Sequence, residues 1–424
     1  MIDIKLILEK PDYVVAALAK KNWTFDPKPL QELSKRRLAL IQEVENCKHE
    51  QKVLSSSVPQ VKKEGGDVNA IFAKVKALAA ENKAKEEELA DVEAKIKAEL
   101  EVLPNLPDDD LLAGGKENNT PVSRFGEERD FGFPIKDHVE LAQSLGLIDY
   151  DRAAKISGSG TWIYTNLGAR LEWALLNYFI ETHLGDGYEM ILPPHILNYE
   201  SGYTAGQFPK FKEDVFWLEG VNKFILPTAE TALVNIYRNE ILPVSMLPKK
   251  FFAYTPCYRK EAGSYRTEER GMIRGYQFNK VEMVQYTTEE GSDAAFEEMV
   301  KKAKALLEGL GLVYQLDKLA AGDCSHSMAR TYDIEVWIPS MGIYKEVSSV
   351  SNARDYQARR GMIRYRDADG KVKFCHTLNG SGLATSRVFP ALLEQNQQAD
   401  GSVVIPEPLR KYMGGLEVIK PIKK

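Results

Sequence analysis

Two short stretches of this chain bring together residue types that can do chemistry. Tyr258-Arg259-Lys260-Glu261-Ala262-Gly263-Ser264 is followed by Gln277-Phe278-Asn279-Lys280-Val281-Glu282. Ahead of the first, Phe251-Phe252-Ala253-Tyr254 alternates as a strand does. A run of charge and glycine then reads as a loop, and Met283-Val284-Gln285-Tyr286 as the returning strand. The pattern predicts a long hairpin with Arg259 and Glu261, two residues apart, on one face of a strand. A guanidinium there can hold a phosphate by its planar fork, and a carboxylate can accept from a hydrogen-bond donor. The same two residues could also form a plain surface ion pair, so the surrounding elements must decide.

With 424 residues the chain can build two or three domains and a deep core. Acidic residues outnumber basic ones 61 to 56, and the net charge of -5 gives no global attraction to nucleic acid. Any RNA contact must use a local basic surface. The opening Met1-Ile2-Asp3-Ile4-Lys5 lacks a basic start followed by an apolar stretch, and no apolar run approaches the roughly 20 residues that span a membrane. The expected location is the cytoplasm, with no membrane contact. Cys47, Cys257, Cys324 and Cys375 are scattered. Cys324-Ser325-His326 and Cys375-His376 lack a C-x-x-C unit, so reduced thiols and no structural zinc are expected.

From Pro29 the periodicity is heptad-like: Leu30, Leu33, Arg37, Leu40, Val44, Cys47, Gln51 and Leu54 alternate three and four apart. Ser55-Ser56-Ser57-Val58-Pro59 and Gly65-Gly66-Asp67 are expected to break the helix. A second stripe runs through Ile71, Val75, Leu78, Asn82, Lys85, Leu89, Val92, Ile96, Glu99 and Leu103, and Pro104 and Pro107 stop it. Two stripes joined by one breaker predict an antiparallel coiled-coil hairpin over about 27–102, each helix on the order of 40 Å long. Such an arm is either a spacer or dimerisation element, or a probe for a distant part of a large ligand. Lys35, Arg36, Arg37, Lys48, Lys52, Lys62 and Lys63 could meet phosphate.

The domain division expected is 1–103 as an N-terminal domain, 104–135 as a polar connector and 136–424 as a catalytic domain. In the last, strands near 190–192, 223–227, 251–258, 277–286, 332–338 and 344–348 sit between helices at 168–184 and 382–397. The fold class is α+β with a largely antiparallel sheet. No Rossmann or P-loop glycine motif is present, which argues against those nucleotide sites.

Set in this frame, the motifs resemble the seryl branch of the class II aminoacyl-tRNA synthetases from Met1 to about Gly415. Met1-Ile2-Asp3-Ile4-Lys5-Leu6-Ile7 and Pro104-Asn105-Leu106-Pro107 resemble that family's opening and the far end of its arm. Gly187-Tyr188-Glu189-Met190-Ile191-Leu192-Pro193-Pro194 is similar to motif 1, which implies a homodimer through that segment. Tyr258–Ser264 resembles motif 2, and Leu378-Asn379-Gly380-Ser381-Gly382-Leu383-Ala384-Thr385-Ser386-Arg387 motif 3. The resemblance implies ATP with Mg²⁺ as cofactors. Arg259 would bind the α-phosphate, Glu261 the adenine amino group, Phe278 the adenine ring and Arg387 the γ-phosphate. Lys260, Val347 and Ser348 complete the ATP set, and Glu346 with Ser349 would hold Mg²⁺. Leu226-Pro227-Thr228-Ala229-Glu230 resembles the amino-acid loop, so Thr228, Ala229, Glu230, Glu282 and Ser381 would bind L-serine. A T-x-E loop is also a common helix cap, and both uses can coexist.

The implied reaction joins serine to ATP as seryl-adenylate and then passes the seryl group to tRNA(Ser), and to tRNA(Sec) where that RNA exists. The arm and the loop 264–274, with Arg266, Arg270 and Arg274, would contact the RNA. Val350 and Tyr276 depart from the residues common in the family, and Val350 is expected near the wall of the serine pocket. Alternatives are a paralogue charging a non-tRNA acceptor and an RNA-binding protein that has lost catalysis. The intact charged set argues against the second, and the retained arm against the first.

Overall fold

The computed structural model describes residues 1–261 and 271–422. The expected loop cations Arg266 and Arg270 therefore lie outside the described residues. The chain divides into two compact units. One is Ile2–Ala19 with Trp23–Leu103, and the other is Pro104–Lys424 with Met1 and Lys20–Asn22.

The first unit is dominated by two paired helices, α1 (Lys28–Lys63) and α2 (Val68–Glu101). Leu30, Leu40, Val44 and Cys47 of α1 are buried, as are Asn82, Val92, Ile96 and Leu100 of α2. The seam follows the expected heptads except at two places, where Ser34 is buried and Leu33 only half-buried, and where Leu100 and not Glu99 turns inward. Charged partners flank it: Arg36 Nε lies 2.7 Å from Glu88 Oε1, Arg37 Nε 2.8 Å from Glu93 Oε1 and Lys48 Nζ 2.7 Å from Glu86 Oε1. Such pairs fix the antiparallel pairing more than they add stability.

The expected break at Ser55–Pro59 does not occur, because α1 runs through Pro59 to Lys63. The proline ring removes only one N–H from the ladder. Leu54 and Val61, half-buried on either side of it, keep the helix against its partner. The turn comes later, at Gly65 with φ +75°, and Asp67 caps α2 by accepting from the Asn69 and Ala70 amides. The 36 residues of α1 make it about 54 Å long, beyond the length expected from the sequence.

The second unit is built on an eight-stranded sheet. In chain order its strands are β1 (Thr120–Phe125), β2 (Glu189–Met190), β3 (Lys249–Tyr258), β4 (Gln277–Thr287), β5 (Tyr314–Lys318), β6 (Arg330–Ile338), β7 (Ile343–Asn352) and β8 (His376–Ala384). Their order across the sheet is β1-β5-β6-β7-β8-β4-β3-β2, antiparallel throughout except for β2 beside β3. The edge strand β1 lies in the stretch read as a polar connector. Its residues are almost all exposed, so no apolar alternation marks it.

Three helices cover one face: α3 (Asn166–Gly185), α4 (Ser292–Gly309) and α5 (Thr385–Gln395). Leu171, Ala174, Leu175 and Phe179 recur at three- and four-residue spacing on α3 and meet Val281 and Met283 of β4 in the main core. Truncating one of these large side chains to alanine would cost about 2–5 kcal/mol. Glycines let the helices approach β8. A Cβ on Gly380 would stand 2.9 Å from Met299 Sδ, and one on Gly382 2.3 Å from His183 Nε2. Strand alternation then turns Lys280, Glu282, Asn379 and Ser381 to the opposite face, where the chemistry lies.

Candidate active site

On that open face the hairpin β3–β4 pairs Tyr258 with Gln277 and ends β3 at Tyr258. Arg259 and Glu261 are thus beyond the strand and do not share a face by alternation. Glu261 has φ +51°, a left-handed conformation uncommon for a residue with a Cβ, and it lines the same cavity as Arg259. Arg259 Nε donates to the Pro227 carbonyl at 3.3 Å, and its guanidinium carbon lies 5.1 Å from the Phe278 ring centroid. Arg274 Nη1 donates to Glu261 Oε2 at 3.0 Å.

Glu346 and Ser349 are three apart, a spacing that puts two residues on opposite faces of a regular strand. A bulge corrects this. Glu335 pairs with Glu346 and Ile334 with Ser348, leaving Val347 as the extra residue. Ser349 Oγ consequently donates to Glu346 Oε1 at 3.2 Å. Arg387, in the first turn of α5, donates from Nη1 to the Glu346 carbonyl at 2.6 Å and stands 3.5 Å from Oε2 of that carboxylate. Burial works to raise the pKa of Glu346, but Arg387 and Arg259 hold it below the usual carboxylate range. Its neighbour Asp333 goes the other way, raised well above its ordinary value by burial and then by the Glu346 charge. An ionised carboxylate beside a hydroxyl is a pair of hard oxygens, the donor set that suits Mg²⁺.

A second group is acidic and more deeply set. Glu230, 9% exposed, accepts from Gln357 Nε2 at 2.8 Å and from Asn379 Nδ2 at 3.3 Å. Asn379 Nδ2 also reaches Glu282 Oε1 at 3.2 Å, and Ser381 Oγ donates to Glu282 Oε2 at 3.2 Å. Lys280 is ion-paired with Glu282 and donates to Thr228 Oγ1 at 2.8 Å. Burial, then the Glu282 charge, raise Glu230 to about 7. The Thr228 hydroxyl accepts from the Glu230 amide at 3.3 Å, but the N-cap of the helix that starts at Glu230 is Ala229, which makes no side-chain cap bond, so the helix-cap use expected of this loop is not made.

These groups line one cavity of about 500 Å³, which holds Thr228, Glu230, Arg259, Glu261, Glu282, Glu346, Ser349 and Ser381. An adjoining recess of about 60 Å³ adds Phe278, Val347 and Arg387. Three expected residues stand apart. The Ala229 side chain packs in an apolar cluster with Leu233, Val284 and Tyr286. The Ser348 hydroxyl donates to the Ser381 carbonyl at 2.7 Å behind the wall. The Lys260 amide donates to the Asp214 carbonyl at 3.1 Å, and its side chain is outside the lining. Val350 does not approach the pocket wall as expected. It is fully buried in the core under the helices, because its neighbours Ser349 and Ser351 take the open face. Sequence reading missed Lys280 and Gln357. The first was findable, since Phe278, Lys280 and Glu282 alternate on one side of β4, whereas Gln357 reaches Glu230 from a distant helix.

A largely antiparallel sheet carrying an Arg on the motif 2 turn and an Arg on the motif 3 helix defines a class II aminoacyl-tRNA synthetase core. Residues 216–396 match the family described as tRNA synthetase class II core domain (G, H, P, S and T), and residues 1–107 match the seryl-tRNA synthetase N-terminal domain. Serine--tRNA ligase 2 of Clostridium acetobutylicum is 58% identical over 422 residues, covering 98% of this chain and 99% of the relative. The crystal structure of seryl-tRNA synthetase from Pyrococcus horikoshii complexed with ATP matches with TM-score 0.94 and 32% identity over 100% of both chains. The fold is shared too by the cytoplasmic serine-tRNA ligase of Naegleria fowleri in complex with AMP, at TM-score 0.90 and 24% identity, covering 100% of this chain and 99% of that one. This chain belongs to the seryl-tRNA synthetases, and its activity is that of a serine–tRNA ligase. A paralogue serving a non-tRNA acceptor has no support in these similarities. Among the described residues no helix is long and apolar enough to cross a membrane.

Proposed function

We propose that the cavity binds serine and ATP end to end and joins them as seryl-adenylate, and that the two units divide the work between RNA binding (1–103) and catalysis (136–424). The observation that carries this reading is the position of Arg259. Its bond to the carbonyl of Pro227, next to Thr228, stands it where the cationic and acidic halves of the cavity meet. The serine ammonium faces Glu230 and Thr228, while its hydroxyl faces Glu282 and Ser381. On the other side Glu261 takes the adenine amino group and Phe278 the adenine ring, with Arg387 on the γ-phosphate. Mg²⁺ held by Glu346 and Ser349 would offset charge on the phosphates.

The serine carboxylate attacks the α-phosphorus, the bond to pyrophosphate breaks, and Arg259 stabilises the charge that gathers on the phosphoryl oxygens. No side chain acts as nucleophile, so the enzyme contributes position and field. Lys280 keeps Glu282 company as a counter-ion when the pocket is empty. The α1–α2 arm reaches a distant part of tRNA(Ser), or of tRNA(Sec) where present, and the motif 2 loop attends its acceptor end. A homodimer through motif 1 is supported by the exposed apolar side chain of Leu192 (75%) just after the edge strand β2.

Serine-dependent pyrophosphate exchange tests the assignment. Arg259→Ala should lower it on the order of 100-fold or more, by analogy with loss of an oxyanion donor. Exchange that survives nearly intact would remove Arg259 from the α-phosphate.

A further inference from the structure

Arg387 is the third residue of α5, so its place in the cavity wall is set by how that helix begins. The chain itself secures that beginning weakly. Leu383 is fully buried with φ +76°, a left-handed conformation disfavoured for a residue with a Cβ. The strand β8 departs from regular pairing there: Ser381 lies opposite Glu282, and the next paired residue is Ala384, opposite Lys280. Ala384 stands at the N-cap of α5 and makes no side-chain cap bond, so the helix opens without a brace of its own.

A carboxylate from another helix supplies one. Glu172 of α3 is 3% exposed, and its Oε1 accepts from the Thr385 hydroxyl at 2.6 Å and from Asn279 Nδ2 at 2.8 Å. The Asn279 carbonyl stands 3.2 Å from the same hydroxyl. The single hydroxyl hydrogen goes to the nearer, carboxylate oxygen. Two of these three residues are fixed. Asn279 lies in β4, which is laddered to β3 on one side and β8 on the other. Glu172 is flanked on α3 by Leu171, Ala174 and Leu175, all packed in the main core. The third, Thr385, carries the first turn of α5 with it. Burial raises the Glu172 carboxyl to about 6 against the Thr385 and Asn279 hydrogen bonds, and above that pH it is ionised and only accepts. This buried acid lies on the helix side of the sheet and lines neither the cavity nor its recess.

We propose that Glu172 is a positioning residue for the activation step, holding Thr385 so that the first turn of α5 puts Arg387 on the γ-phosphate. The proposal rests on the reading of Arg387 given above. Without the carboxylate the Thr385 hydroxyl turns to the Asn279 carbonyl and the first turn is released. The guanidinium then meets the phosphates in no fixed place, which weakens ATP and leaves the serine end as it was.

Pyrophosphate exchange by the full chain tests this, with KM measured separately for ATP and serine and folding followed by thermal melting. The variants are Glu172→Ala, Glu172→Gln and Thr385→Val. Glutamine keeps an acceptor oxygen of the same reach, and valine removes only the hydroxyl. Glu172→Ala and Thr385→Val should each raise the KM for ATP at least about tenfold, with that for serine within about twofold of the parent. Glu172→Gln should restore ATP to within about threefold. Because the effect passes through Arg387, Glu172→Ala should change the KM for ATP by less than about twofold in a chain already carrying Arg387→Ala. An unchanged KM for ATP in Thr385→Val, a loss confined to kcat that follows the folded fraction, a Glu172→Gln no better than Glu172→Ala, or full additivity with Arg387→Ala would each overturn the role of Glu172. Should Arg387→Ala by itself leave the KM for ATP unchanged, the γ-phosphate reading fails first and the proposal falls with it.

Discussion

Glu230 is the residue at which the pocket is most sensitive to pH. Burial and the nearby Glu282 charge raise it to about 7 from an ordinary 4.5. The folded, empty chain therefore binds this proton more tightly than the unfolded chain does. Stability from the group is fully present below about pH 4.5 and is lost as the pH rises towards 7, on the order of 3 kcal/mol in all. Thermal unfolding of Glu230→Gln should lack that part of the pH slope. In the proposed complex the serine ammonium replaces the proton, so serine affinity should rise with pH up to about 7, and binding at pH 6 should release a proton. Calorimetry in two buffers of different ionisation enthalpy measures the release. A serine affinity that is flat from pH 5.5 to 8 would take Glu230 away from the ammonium.

At the scale of elements, the arm and the sheet have separate cores. The buried seam of α1 and α2 consists of their own residues, and the cavity is lined wholly from the second unit. Replacing residues 27–102 by a short linker should then leave pyrophosphate exchange within a few-fold of the parent. Transfer to tRNA(Ser) at ordinary concentrations should be abolished, since the long-range contact is gone. Equal aminoacylation with and without the arm would reduce it to a spacer.

For the whole molecule, the proposed motif 1 interface would couple the cavity to assembly. The strand β2 pairs with β3 through Glu189 and Phe251, and β3 leads directly to Arg259. The exposed apolar side chain of Leu192 just after the edge strand β2 is the feature that supports the proposed interface. Leu192→Asp should shift sedimentation from dimer towards monomer and lower exchange along with it. A variant that sediments and exchanges as the parent does would move the interface elsewhere.

The amino-acid sequence alone determined the periodic and chemical content of this protein. Heptad spacing made α1 and α2, alternation made β3 and β4, and the order of charged motifs named Arg259, Glu230, Glu346 and Arg387 as one set. These are legible because each is written in residues a few positions apart. The tertiary structure decided which of them meet. Only the pairing of β6 with β7 reveals the extra residue Val347 that turns Ser349 to the side of Glu346. Only the closeness of β8 and β4 puts Ser381 opposite Glu282, 99 positions away. The left-handed turn at Glu261, the helix-facing side of Val350 and the reach of Lys21 to the Ser325 carbonyl have the same origin. A local pattern fixes which face a side chain takes in an ideal element, but bulges, turns and long-range pairing reset that face, and their cost is repaid only by contacts made across the finished fold.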